Sequence, residues 1–217
     1  MELVHQAVDL VLHLDKHLAQ LVTDYGATTH WILFAVVFCE TGLVVTPFLP
    51  GDSLLFAAGA LAALDTPLQI GWLWLLLTVA AIVGDTVNYS IGKRVGVSAF
   101  KPGNRFLKQE HLDRTHAFFE KHGPKTIVLA RFVPIVRTFA PFVAGVGVMS
   151  YGRFIAYNVI GGVLWTTIFL WAGYWFGNQP FVKQNFSLVI LVIIVLSVMP
   201  MVWEWWKVRA ERRRLSA

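Results

Sequence analysis

Residues 46–52 read Thr46-Pro47-Phe48-Leu49-Pro50-Gly51-Asp52, and residues 131–141 read Arg131-Phe132-Val133-Pro134-Ile135-Val136-Arg137-Thr138-Phe139-Ala140-Pro141. Each stretch interrupts a long apolar run, 31–64 in the first case and 126–149 in the second. Proline removes a backbone donor and disrupts a helix, and exposed backbone cannot be left unsatisfied in lipid. Neither run therefore reads as an ordinary membrane span. Split at Pro47, Pro50 and Gly51, the first leaves half-helices of about fifteen residues or fewer, too short to cross roughly 30 Å of hydrocarbon unaided. The second, split between Pro134 and Pro141, behaves alike. Two re-entrant hairpins, each entering and leaving on one side, are predicted over 30–65 and 126–150.

Each interruption carries charges of one sign: Glu40 and Asp52 in the first, Arg131 and Arg137 in the second. An ionisable group at bilayer depth costs about 2.5–3.5 kcal/mol even on the lenient insertion scale, so it is normally placed for a purpose. Interrupted hydrophobic segments at matching positions in two halves of a membrane protein are the best sequence-level pointer to a transport site.

The rest of the composition agrees with a membrane setting. Of 217 residues, 56% are hydrophobic and only 14% charged, which sets aside an ordinary soluble domain. The net charge of +5 is unevenly spread: residues 1–92 carry −7, residues 93–125 carry +5 and the tail 207–217 carries +4. The positive-inside rule puts both basic segments in the cytoplasm. The run Arg212-Arg213-Arg214 reads as a juxtamembrane anchor facing anionic headgroups rather than as a nucleic-acid site. With one cysteine, Cys39, no intramolecular disulfide can form, and a packed small hydrophobe is the expected role. His5, His13 and His17 have no second ligand set beside them, so neither a metal nor any other cofactor is expected.

Residues 1–24 carry apolar side chains at helical spacing with no clean signal-peptide core, predicting an amphipathic interfacial helix. Membrane spans are predicted over 70–92, 153–176 and 187–206, with aromatic residues crowding their ends as interfacial belts. Between them, 93–125 forms a basic cytoplasmic loop containing a soluble-looking helix over 109–122 that ends at Gly123-Pro124. Residues 207–217 form a basic cytoplasmic tail.

The halves align. At an offset of 86, Phe56-Ala57-Ala58-Gly59 falls on Phe142-Val143-Ala144-Gly145; downstream, and at a shorter offset, Ile91-Gly92-Lys93-Arg94-Val95-Gly96 resembles Ala172-Gly173-Tyr174-Trp175-Phe176-Gly177. A hairpin followed by one span makes the second copy inverted relative to the first. The expected fold is an all-α polytopic membrane protein of two inverted repeats, with the N-terminal amphipathic helix and a final C-terminal span added, in one membrane domain.

A carboxyl group out of water favours its neutral form, so Glu40 and Asp52 are candidates to load and release a proton. Arg131 and Arg137 cannot be neutralised, and their forks match phosphate or carboxylate bidentately. Either they pair with Glu40 and Asp52 at rest, or, with Thr138, they hold an anionic substrate; taking turns would link substrate binding to proton release. The bland alternative is a pair of static salt bridges fastening two hairpins, although buried ion pairs stabilise poorly compared with apolar packing. Asp85 and Asn88 share one helical face, for arginine pairing, proton relay or a plain interior hydrogen bond, and Asn158 is expected in a similar position in the other half.

The stretches 38–54 and 130–138, with Gly84-Asp85, Asn88-Tyr89 and Ala156-Tyr157-Asn158-Val159-Ile160-Gly161, resemble the DedA family of bacterial inner-membrane proteins. The likeness covers nearly the whole chain. It implies two opposed re-entrant hairpins and a role in moving lipid-linked phosphates, notably undecaprenyl phosphate, with links to envelope integrity, the proton-motive force and resistance to cationic peptides. The family's acidic and arginine pairs fall on Glu40, Asp52, Arg131 and Arg137.

The leading expectation is a proton-coupled transporter that flips an anionic polyprenyl phosphate or related phospholipid in a bacterial inner membrane. Its partners would be membrane lipids, the lipid phosphate and protons, without nucleic acid, and a second copy of the chain is a further candidate. A small-ion antiporter could use the same carboxylates. A lipid phosphatase is disfavoured because no histidine lies in either interrupted run. An assembly factor would use the basic loop and tail and leave the buried charges structural.

Overall fold

The structure, a computed structural model, describes residues 24–43, 51–64, 66–96, 109–180 and 182. Among these residues all regular structure is helical. The predicted helix over 1–24 (save Asp24), Pro47 and Pro50, residues 97–108 of the basic loop, the span over 187–206 and the tail lie outside the described residues.

Helix α1 runs Thr29–Gly42 and α2 runs Gly51–Ala62. At 1.5 Å per residue they extend about 21 and 18 Å, short of a membrane crossing. Helix α3, Ile70–Val95, and the later α7, Tyr151–Gly177, are long and apolar enough to cross. Helix α3 continues a turn beyond the expected end at 92, because Lys93 and Arg94 suit the negative end of the helix dipole. On its outward face Leu75, Val79 and Val83 follow at four-residue intervals, each at least 40% exposed. An apolar stripe with that spacing fits a lipid-facing surface.

Helix α4, Gln109–His122, is amphipathic: Thr115 and Phe119 are buried while Glu120 and Lys121 face outward. It stops where Gly123 takes a left-handed φ of +57° ahead of Pro124. Helix α5, Thr126–Ala130, is short, and α6 runs Pro134–Val143. Between them Val133 is extended (φ −121°, ψ 106°), the backbone that a following proline favours, so the chain breaks at 131–133. Pro134 then opens α6, at the position where its missing N–H costs nothing.

Pro141 is not a break. It lies inside α6, where its cost is one donor withheld from the Arg137 carbonyl, and the chain continues into a wide π-type turn, Ala144–Val148. The second interruption falls at Gly147 (φ +131°). Cys39 also departs from expectation: α1 buries Leu33, Val37, Glu40 and Thr41, and Cys39 projects from the other side.

The described residues fall into two compact units. One comprises 24–27, 51–68 and 169–182. Within it Gly59 meets the Leu170 carbonyl and Gly173 meets the Phe56 carbonyl, both too closely for a Cβ. The other comprises 28–43 and 69–168. Its apolar core joins Tyr89, Phe119, Ile127, Val136, Phe139, Phe142, Val143 and Phe154. Tyr89 stacks on Phe154 at 4.4 Å between centroids and donates a 2.9 Å hydrogen bond to the Met149 carbonyl. Helix α1 packs on α3 where Gly42 and Gly84 let the backbones approach, the small-residue contact usual between helices in lipid. Thr78 and Thr166 share a 2.7 Å hydrogen bond and Trp74 Nε1 donates to Thr167 Oγ1 at 2.9 Å, tying α3 to α7.

Candidate functional site

The second unit gathers most of the charges singled out in the sequence around the break between α5 and α6. Arg131 caps α5 at the break and Arg137 sits one turn into α6, so a single local feature directs both guanidinium groups. Their partners come from elsewhere in the chain. Arg137 Nη2 donates to Glu40 Oε1 at 2.9 Å, joining α6 to α1. Arg131 Nη2 donates to Asp85 Oδ2 at 2.6 Å and to Asn158 Oδ1 at 2.7 Å, joining the break to α3 and α7. Arg131 thus pairs with Asp85, for which arginine pairing was one of the sequence readings beside the pairing of the arginines with Glu40 and Asp52. Asn158, expected at a position similar to that of Asp85 and Asn88 in the other half, meets Asp85 on one guanidinium.

The two pairs differ in exposure. The Arg131 and Asp85 side chains keep 6% and 7% of their surface, and those of Arg137 and Glu40 keep 14% and 5%. In so dry a setting the attraction within each pair is strong, yet the loss of hydration offsets much of it, so the pairs confer geometry more than stability. Arg131 Nε is buried with no hydrogen-bond partner among the described residues. It lies against Gly161, where a Cβ would come within 3.2 Å of it. An unsatisfied buried donor costs about 1–3 kcal/mol.

Asn88 binds the backbone on both sides of the site. Its Nδ2 donates to the Thr41 carbonyl at 3.2 Å and to the Thr138 carbonyl at 3.0 Å. Asn158 Nδ2 donates to the Ile82 carbonyl at 3.0 Å, which fixes its oxygen toward Arg131. Thr138 itself is buried on α6. Asp52 lies in the first turn of α2, in the other unit, and Gly51 opens that helix.

Sequence reasoning overlooked Trp165. It is fully buried on α7, and its ring lies under both guanidinium groups, 4.7 Å from Arg137 Cζ and 5.7 Å from Arg131 Cζ. Gly161 and Gly162, one turn earlier, open the slot for the Arg131 side chain. A signal was present: Asn158, Gly161, Gly162 and Thr166 form a small and polar stripe around Trp165 at helical spacing in an otherwise apolar span. His30, near the start of α1, is ten residues from Glu40, about 15 Å along the helix.

The arrangement holds two permanent cations next to two carboxylates, with apolar helices around them. Chemically it can bind an anion in place of a carboxylate, and it can hold a proton on the carboxylate displaced.

Residues 49–175 match the family model described as the VTT domain. Protein DedA of Escherichia coli (strain K12) is 57% identical over 206 residues, 94% of each chain. An uncharacterized membrane protein of Mycobacterium leprae (strain TN) is 45% identical over 180 residues, 82% of this chain and 80% of its own. Inner membrane protein YqjA of Escherichia coli (strain K12) is 37% identical over 177 residues, 78% of this chain and 79% of its own. No solved structure matches the fold.

Proposed function

The chain belongs to the DedA family of VTT-domain proteins, and from that premise we propose that it is a proton-coupled transporter of an anionic lipid phosphate in a bacterial inner membrane. The location is supported by relatives whose names place them in the membrane, and by two helices of sufficient length and apolarity. Undecaprenyl phosphate or a related phospholipid is the substrate class that fits a cationic site with apolar surroundings. The basic loop and tail would face the cytoplasm.

The observation that carries this reading is the Arg137–Glu40 pair, which joins the two interrupted segments at 2.9 Å. In the proposed cycle a lipid phosphate takes the Arg137 fork from Glu40. The freed carboxylate, now without its counter-charge, takes up a proton. Binding is thereby coupled to proton uptake, and release of lipid to release of the proton. This sign is opposite to the sequence expectation and follows from taking Glu40 as ionised against Arg137 in the proposed resting state.

The inverted repeat belongs to the same proposal. Phe142 and Gly145 stand 86 residues after Phe56 and Gly59, and Leu170 and Gly173 stand 81 residues after Tyr89 and Gly92. In each unit the glycine and the carbonyl of the short helix meet the corresponding carbonyl and glycine of a long one. Two re-entrant hairpins with opposite entry would place Asp52 in the first hairpin as the second carboxylate of the proton path.

The test is transbilayer movement of undecaprenyl phosphate in proteoliposomes, with and without a pH gradient. Movement that requires protein and responds to the gradient supports the reading. Gradient-driven proton or cation flux without lipid movement would instead favour a small-ion antiporter.

A further inference from the structure

The two arginines are held in different ways, and the difference assigns them different work. Arg131 is enclosed: Asp85 at 2.6 Å and Asn158 at 2.7 Å share its Nη2, Gly161 lies against its stem and Gly162 against its Nη2. To leave this seat it would have to vacate a slot shaped by two glycines and strand a buried carboxylate. Arg137 is the more open of the two, and its carboxylate lies on a different helix, α1. The indole of Trp165 is nearer to Arg137 than to Arg131, at 4.7 against 5.7 Å from the guanidinium carbons. A cation over an indole face is attracted by the ring's quadrupole, most strongly where water is excluded, and the ring neither neutralises the charge nor occupies an N–H donor. It can therefore hold a guanidinium in place while all of that group's donors are changing partners.

We propose that Trp165 is a positioning residue for the lipid phosphate: it keeps the Arg137 fork in place while Glu40 leaves and the phosphate arrives, with Arg131 staying fixed on Asp85 and Asn158. This rests on the transport reading above for the identity of the anion, but not for the geometry. The exchange then involves one arginine, and the second stays paired beside it. A carboxylate could not serve as the holding group, because it would compete with the phosphate for the same N–H donors. An aliphatic residue could fill the volume but would not attract the charge. Trp165→Phe keeps a ring face with a weaker quadrupole, and Trp165→Leu keeps apolar volume alone.

Two readouts on the full chain separate the geometry from the transport. The first is carbodiimide labelling of Glu40, followed by mass spectrometry of its peptide in nanodiscs without added lipid phosphate. With Trp165→Leu the labelling rate rises about tenfold, which corresponds to about 1.4 kcal/mol, toward that of Arg137→Gln, and Trp165→Phe lies between. The second is the concentration dependence of undecaprenyl phosphate movement in proteoliposomes. There Trp165→Leu raises KM about tenfold with turnover little changed, and Trp165→Phe recovers most of the loss. Unchanged Glu40 labelling in folded Trp165→Leu overturns the proposal whatever transport shows. So does an equal loss in the Phe and Leu variants, which would mean packing alone. Increased labelling in Trp165→Leu, with a wild type that moves no lipid, would keep the platform and remove the transport reading.

Discussion

Arg137 Nη2 lies 2.9 Å from Glu40 Oε1 although 97 residues separate the two in the chain. Each residue sits on a helix too short to cross a bilayer; Glu40 is buried and Arg137 keeps 14% of its side-chain surface. A pair of this kind gives little net stability, because the desolvation of both charges offsets their attraction. Its presence is better explained by a partner that can replace one side of it.

Neutralising Glu40 separates its two roles. Glu40→Gln retains a hydrogen-bond acceptor for Arg137 and loses the titrating proton. We expect the variant to insert and fold, to bind lipid phosphate at least as tightly as wild type, and to lose gradient-driven movement by about a hundredfold, the rate effect of about 2.7 kcal/mol. Proteoliposome transport at two pH gradients, with binding measured separately, checks this.

Removing only Asp85 strands Arg131. Asp85→Ala should lower stability by about 3–5 kcal/mol, the cost of an uncompensated buried charge. The double variant Asp85→Leu with Arg131→Met should recover most of that stability while transport stays lost. Thermal unfolding in detergent, compared across the singles and the double, measures the coupling.

Asn88 donates to two carbonyls at once, so its replacement should affect both neighbours. Asn88→Ala loses two hydrogen bonds of about 0.5–1.5 kcal/mol each. Asn88→Asp should be worse, because an ionised carboxylate in that place faces the Thr41 and Thr138 carbonyls with no donor. The order of unfolding temperatures, wild type above Ala above Asp, is the expected result.

Helix α1 approaches α3 closely at Gly84, where a Cβ would collide with Thr41 Oγ1 and come within 3.0 Å of the Phe38 carbonyl. Gly84→Ala should cost about 1–3 kcal/mol by overpacking. Adding Thr41→Ala should return part of this, since the hydroxyl is the nearer obstacle. The collision with the Phe38 backbone remains, so recovery should be incomplete.

Much of this arrangement was legible in the sequence because it depends on local pattern. Long apolar runs gave α3 and α7, the amphipathic spacing and Gly123-Pro124 gave α4, and the proline-rich breaks drew attention to Glu40, Asp52, Arg131 and Arg137. What stayed hidden depends on which helix faces which. Spacing put Asp85 and Asn88 on one face but could not say that Arg131 would meet Asp85. Pro141 looked like a breaker, whereas α6 absorbs it by passing into a wide turn. Trp165 was lost among the aromatic residues of the membrane edges, because a buried indole and an interfacial one look alike until the neighbouring Gly161 and Gly162 are given weight.

In the proposed cycle lipid phosphate replaces Glu40 on Arg137, and Glu40 then takes a proton. The most direct measurement is the pH change on mixing weakly buffered nanodiscs of the purified protein with undecaprenyl phosphate, corrected for the lipid alone. Net proton uptake by wild type, absent from Glu40→Gln although that variant still binds the lipid, is the predicted result. Proton release, or no pH change while wild type binds the lipid, would contradict the account.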